Sequence, residues 1–133
     1  MPPSESMPYF SIYFSQTCFA CSALISKSPA AKPVTDKELK EIYDTLDGKI
    51  NFQFIISEDG STDGTKELLK KLKDIYPMIL ISDNSRKFYS KAVIDGIKKA
   101  DADYLLIKDS DGQCDPKDIL NFWELKNNSD LVN

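Results

Sequence analysis

The stretch Tyr104-Leu105-Leu106-Ile107-Lys108-Asp109-Ser110-Asp111-Gly112-Gln113 decides how this chain reads. An apolar, β-prone run gives way to two carboxylates two positions apart, and then to glycine. The run Tyr104 to Ile107 predicts a buried strand, and the acidic turn is the loop it releases. Like charges this close at a strand end are costly unless a cation meets them. Aspartate and glycine are also ordinary turn formers, and Asp-x-Asp often arises without a ligand, so on these residues alone both readings stand.

Upstream, the same alternation of strand and helix recurs. Tyr9 to Phe14 reads as a strand with Phe10, Ile12 and Phe14 on one face, followed by a loop-like Ser/Cys/Ala stretch containing Pro29 and Pro33. Thr35 and Glu38 suit a capping box, and Leu39, Ile42, Tyr43 and Leu46 recur at helical spacing before Asp47-Gly48 ends the helix. Phe52 to Ile56 predicts a strand closed by the polar loop Ser57–Gly64. A helix is expected over 65–75 with Leu68, Leu69, Leu72 and Ile75 on one stripe, then a strand from Met78 to Ile81. A further helix is expected over 89–100, with Ala92, Val93, Ile97 and Ala100 inward. Downstream, Pro116 suits the first turn of a last helix, and Leu131-Val132 reads as the start of another strand.

Strand-helix alternation predicts an α/β fold, a mostly parallel sheet with flanking helices. Ligands of such sheets bind outside the carboxyl ends of the strands. The acidic, glycine-containing loops at 58–64 and 109–113 should therefore open on one edge of the sheet.

Bulk composition narrows the chemistry. A chain of 133 residues, 41% hydrophobic and 29% charged, fits one soluble domain. With 21 acidic and 17 basic residues the net charge is -4, which gives no support for nucleic-acid binding. No run reaches the about 18 apolar residues of a membrane span, and the N-terminus does not read as a signal peptide. The expected location is cytoplasmic, including the cytoplasmic face of a membrane. The absence of histidine excludes Ser-His and Cys-His catalysis. Cys18 and Cys21 have CxxC spacing, but with Cys114 they are too few for a zinc site; inert thiols and a redox pair are the two readings left.

Asp109 and Asp111 can offer carboxylate oxygens to Mg²⁺ or Mn²⁺, and Gln113 adds a neutral oxygen. Such an ion offsets diphosphate charge as a leaving group departs. Calcium storage does not fit. Counted from Asp109, the glycine and acid of an EF-hand loop would be Cys114 and Leu120; counted from Asp59, Gly64 is correct but the acid falls on Lys70. In Glu58-Asp59-Gly60-Ser61-Thr62-Asp63-Gly64 a turn capped by Thr62 or Asp63 competes with a ligand role, in which Asp59 accepts hydrogen bonds from a nucleobase or ribose. Asn84, Arg86 and Lys87 after the third strand suit either a nucleotide phosphate or solvent.

Taken in order, Ile55-Ile56-Ser57-Glu58-Asp59-Gly60-Ser61-Thr62-Asp63-Gly64-Thr65, then Asn84, Ala92 and Gly96, then Asp103 to Gln113 with Pro116, resemble the family 2 glycosyltransferases of GT-A fold. The likeness covers about residues 50–132 and is greatest to the polyprenyl-phosphate (dolichol-phosphate mannose type) sugar transferases. It implies a partial GT-A fold and sugar transfer from a UDP- or GDP-sugar to a polyprenyl phosphate or a glycan hydroxyl. It places nucleotide contacts at Glu58, Asp59 and Asp109, joined by Asn84 and Lys87, and a Mg²⁺ or Mn²⁺ site at Asp109, Asp111 and Gln113. Glu58 stands where the family more often has aspartate, and Ser110 where it has alanine. The first strand runs into Ser15–Cys21 without the family's Asn-Glu pair, and a run Arg86–Ser90 follows Ser85 where the family has a basic, glycine-rich segment. The chain stops near Val132, before the family's acceptor pocket and catalytic base. The expected organisation is a divergent strand and loop over 1–33 and a truncated donor-nucleotide-binding part over 34–133. The competing expectation is a non-catalytic fragment that retains nucleotide binding. A metal-dependent phosphatase or phosphotransfer domain fits the second ordered motif poorly.

Overall fold

Strands and helices alternate along the chain as their periodicities predict. The structure, a computed structural model, describes residues 9–16, 36–58, 64–82, 89–109, 115–128 and 130. The elements are β1 (Tyr9–Gln16), α1 (Asp36–Leu46), β2 (Asn51–Glu58), α2 (Thr65–Leu72), β3 (Met78–Ser82), α3 (Tyr89–Lys99), β4 (Tyr104–Asp109) and α4 (Pro116–Leu125).

The four strands form one parallel sheet in the order β3-β2-β1-β4. From β1 the chain steps outward through β2 to β3, then returns across the sheet to place β4 on the other side of β1. Parallel crossovers keep one hand, so reversing the direction of travel moves the connecting helix to the opposite face. The packing agrees. Apolar residues of α1, α2 and α4 share one core cluster, whereas α3 packs on the other face against β1 and β2.

The larger core is built by alternation along β2. Phe52, Phe54 and Ile56 join Ile12 of β1, Leu39, Ile42 and Leu46 of α1, Leu69 and Leu72 of α2, and Ile119 of α4. Each such side chain contributes roughly 1.5–3 kcal/mol on burial. Phe54 meets Phe52 edge-on at 5.4 Å and Tyr76 at 6.2 Å, in the geometry aromatic quadrupoles favour. Residues of opposite parity serve α3. Ile55 and Ala92 are buried there, and the buried Ser11 hydroxyl accepts a hydrogen bond from Gln53 Nε2 at 3.1 Å.

Several element limits differ from the sequence expectation. β1, β2, β3 and β4 each run one or two residues further at the carboxyl end, to Gln16, Glu58, Ser82 and Asp109. Ser57 and Glu58 are polar and read as loop, yet both belong to the ladder, opposite Ser15 and Gln16 on one side and Ile81 and Ser82 on the other. α2 ends at Leu72 rather than at 75, where the bonding tightens to three-residue turns from the Asp74 and Ile75 amides to the Lys71 and Leu72 carbonyls. Ile75 consequently leaves the helical stripe and is 66% exposed. Leu68 is also exposed, since α2 buries Thr65, Leu69 and Leu72.

Ile97 of α3 faces outward at 44% exposure, while Ala92 and Gly96, one turn apart, are buried. Two small residues let α3 lie close to the sheet, and that contact turns Ile97 away. Gly48 ends α1 with φ 73°, the left-handed cap that Asp47-Gly48 predicts. Gly64, φ 87°, is itself the N-cap residue of α2 and brings no side chain to cap it; the expected caps Thr62 and Asp63 lie outside the described residues. The expected strand at Leu131-Val132 and all three cysteines lie outside the described residues. No helix among the described residues is long and apolar enough to cross a membrane.

Candidate functional site

The strand order creates a switch point. β1 connects outward to β2, and β4, reached by the return crossover through α3, lies on its other flank, so the strand order reverses between β1 and β4. In open α/β sheets such a reversal marks the switch point where ligands bind. Asp109 ends β4 there, directly opposite Ser15 of β1, and Ser15 in turn faces Ser57 of β2. Glu58 ends the next strand one position further along. The acidic loops after β2 and β4 thus leave the same edge of the sheet, separated by β1.

Both loops are anchored at their far ends. The loop after β4 runs into α4, whose N-cap Asp115 accepts a hydrogen bond through Oδ1 from the Lys117 amide at 2.9 Å, with Pro116 in the first turn. The loop after β2 enters α2 through the left-handed Gly64, whose carbonyl accepts from the Leu68 amide at 3.1 Å. The described residues flanking each loop are thus a ladder residue before it and a helix start after it.

Glu58 is 1% exposed, and its Oε2 accepts a hydrogen bond from Ser82 Oγ at 3.0 Å. This contact links the carboxyl ends of β2 and β3. Asp109 is placed by its backbone at the end of β4. Asp59, Asn84, Lys87, Asp111 and Gln113 lie outside the described residues. Among the described residues no group of three or more Cys, Asp or Glu could hold a metal ion. The donor set of the acidic loop, two carboxylates and one amide oxygen, is that of a hard divalent cation, so these residue types fit Mg²⁺ or Mn²⁺.

One feature escaped the sequence reading. Lys108, directly before Asp109, is buried, and its Nζ donates to Glu38 Oε1 of α1 at 2.6 Å, with the side chains 4% and 15% exposed. Alternation carried the signal. Tyr104 and Leu106 face the main core, so Lys108 shares their side of β4 and must find a carboxylate there.

The glycosyl transferase family 2 profile matches residues 35–132, starting at α1, further upstream than the motifs alone indicate. A dolichol-phosphate mannosyltransferase from Pyrococcus furiosus is 32% identical over 100 residues, covering 72% of this chain and 28% of that protein. The succinoglycan biosynthesis protein ExoA of Rhizobium meliloti is 35% identical over 65 residues, covering 47% of this chain and 20% of its own length. The chain thus spans less than a third of these relatives.

Among solved structures, the mannosyltransferase PcManGT of Pyrobaculum calidifontis, in complex with GDP-Man and Mn²⁺, superposes with a TM-score of 0.59 at 17% identity. That superposition covers 80% of this chain and 28% of PcManGT. TarS of S. aureus gives 0.55 at 20% identity, over 87% of this chain and 19% of TarS. These likenesses establish a partial GT-A fold, and with the profile match over most of its length the chain belongs to glycosyl transferase family 2.

Proposed function

We propose that residues 34–133 are the donor-binding part of a glycosyltransferase that takes its sugar from a nucleoside diphosphate sugar. The observation that carries this reading is the placement of Asp109 at the β1/β4 switch point, with the acidic loop of β2 leaving the same edge. Residues 1–33 contribute β1, the strand against which β2 and β4 both register.

In this reading Asp59 accepts hydrogen bonds from nucleobase or ribose, and Glu58 braces that strand end through Ser82. Asn84 and Lys87, following β3, supply a hydrogen-bonding group and a positive charge for the phosphates. Asp109, Asp111 and Gln113 would hold Mg²⁺ or Mn²⁺, and Asp109 would also contact the ribose. The bound ion supplies Lewis-acid neutralisation of the diphosphate leaving group. An acceptor oxygen, from a polyprenyl phosphate or a glycan hydroxyl, forms the new bond at the anomeric carbon as the bond to the diphosphate breaks. The general base is assigned to no residue of this chain. The complex of PcManGT with GDP-Man and the likeness to a dolichol-phosphate mannosyltransferase favour GDP over UDP and a lipid phosphate over a glycan. Such an acceptor places the reaction at the cytoplasmic face of a membrane.

Calorimetry of the chain with GDP and with UDP, each with and without Mn²⁺, tests the reading. Mn²⁺-dependent binding that weakens at least about tenfold in Asp111→Ala is expected. Absence of binding by either nucleotide, or an Asp111→Ala variant that binds as the parent does, contradicts it.

A further inference from the structure

We infer that the buried Glu38–Lys108 pair positions the acidic loop for its ligand, an inference that rests on the reading of that loop given above. Lys108 is the last residue of β4 before Asp109, and its ammonium group is held 2.6 Å from a carboxylate in the first turn of α1. β4 is the outer strand of the described sheet, so its carboxyl end is held within the sheet by β1 alone. The pair adds a tether out of the sheet plane. Together with the Asp115 cap, it gives the residues that flank the acidic loop supports in three directions: β1 and α1 before it, and the start of α4 after it.

An ion pair this buried is a poor device for stability alone. Apolar side chains of similar volume commonly hold such a position as well or better, because both charges must first be stripped of water. What an ion pair supplies and packing does not is direction, since a lysine ammonium at hydrogen-bonding distance fixes its stem and hence the adjoining peptide. The next residue in the chain is Asp109, and ligand sites depend on geometry held to about half an ångström by the shell behind them. Lys108 and Glu38 are therefore positioning residues: they reach the ligand through the backbone of Asp109.

The test uses the 133-residue chain and the double variant Glu38→Met/Lys108→Met, which keeps side-chain volume and removes both charges. Two quantities are read. The first is the Mn²⁺ concentration that half-saturates GDP binding, expected to rise about tenfold, the size of effect seen when an outer-shell partner of a metal ligand is removed. The second, without ligand, is deuterium uptake of the 105–115 segment, expected to accelerate while uptake over β2 stays unchanged. A folded double variant that matches the parent in either quantity overturns the inference. Should the double variant not fold, Glu38→Asp withdraws the carboxylate by one methylene while keeping its charge. It is expected to show the same two changes in smaller measure, and parental values overturn the inference. Asp111→Ala, run alongside, separates the two failures. Unchanged binding in Asp111→Ala defeats the site reading, whereas parental behaviour of the pair variants beside a defective Asp111→Ala defeats only the positioning role.

Discussion

Replacing Lys108 by methionine alone is the sharpest perturbation of stability. The ammonium and carboxylate are 2.6 Å apart, with side chains 4% and 15% exposed. With an effective dielectric constant of about 20, the Coulomb attraction at that separation is about 6 kcal/mol. Much of it offsets the cost of dehydrating the two ions, but Lys108→Met recovers only the lysine's share and leaves Glu38 charged and mostly buried. The net loss should be about 3–5 kcal/mol. Against a total of about 5–15 kcal/mol for a domain, that brings the variant close to marginal. Urea unfolding followed by circular dichroism reads it directly: with a slope of about 2 kcal/mol/M, the midpoint falls by roughly 2 M. The Glu38→Met/Lys108→Met chain, with both charges of the pair removed, should return to within about 1–2 kcal/mol of the parent, the remainder covering the carboxylate's favourable place in the first turn of α1. A loss below about 1 kcal/mol for Lys108→Met, the value of an exposed pair, would refute the burial and the pairing together.

Three further outcomes follow from the described geometry. Phe54→Ala removes a fully buried ring from the aromatic cluster of Phe52 and Tyr76 and should cost about 3–5 kcal/mol in the same unfolding assay. Gly64→Ala meets open space but must hold φ near +87°, so it should cost about 1 kcal/mol through backbone strain; an increase in stability would show that α2 starts from a different conformation. Burial, and then the Asp36 carboxylate that accepts its hydroxyl at 3.2 Å, raise the Tyr76 pKa above the ordinary 10.0. The folded state then holds this proton where the unfolded chain releases it, so the stabilisation is complete below pH 10 and is lost as the pH rises above it. Unfolding measured from pH 9 to 11.5 should show a decline that Tyr76→Phe makes shallower.

The alternation of elements was legible because each carries its own period: Leu39, Ile42 and Leu46 on α1, and Phe52, Phe54 and Ile56 on β2. The family resemblance rested on two ordered loops, and both leave the sheet edge that a parallel arrangement predicts. What local pattern does not encode is the ladder. Ser57, Glu58 and Asp109 are polar, yet inter-strand pairing carries β2 and β4 through them, so residues that read as loop are strand ends with fixed neighbours. The order β3-β2-β1-β4 likewise depends on pairing between distant segments, and with it the switch point beside Asp109. α3 shows the limit of helical periodicity. Its stripe admits either Ile97 or Gly96 toward the sheet, and close approach selects the smaller. The Glu38–Lys108 pair joins residues 70 positions apart, so only the parity of Lys108 hinted at it.

A metal and nucleotide bound at the carboxyl ends of β1 and β4 can be located directly. Mn²⁺ is paramagnetic, so adding it with GDP to the isotopically labelled chain maps its position through the broadening of each backbone amide. The greatest broadening is expected at Ser15 and Asp109, falling steadily toward Phe10 and Tyr104, about 16 Å away along the strands. Equal broadening along both strands, or a maximum at Tyr104 or on the acidic surface of α1 around Glu41 and Asp44, would contradict it.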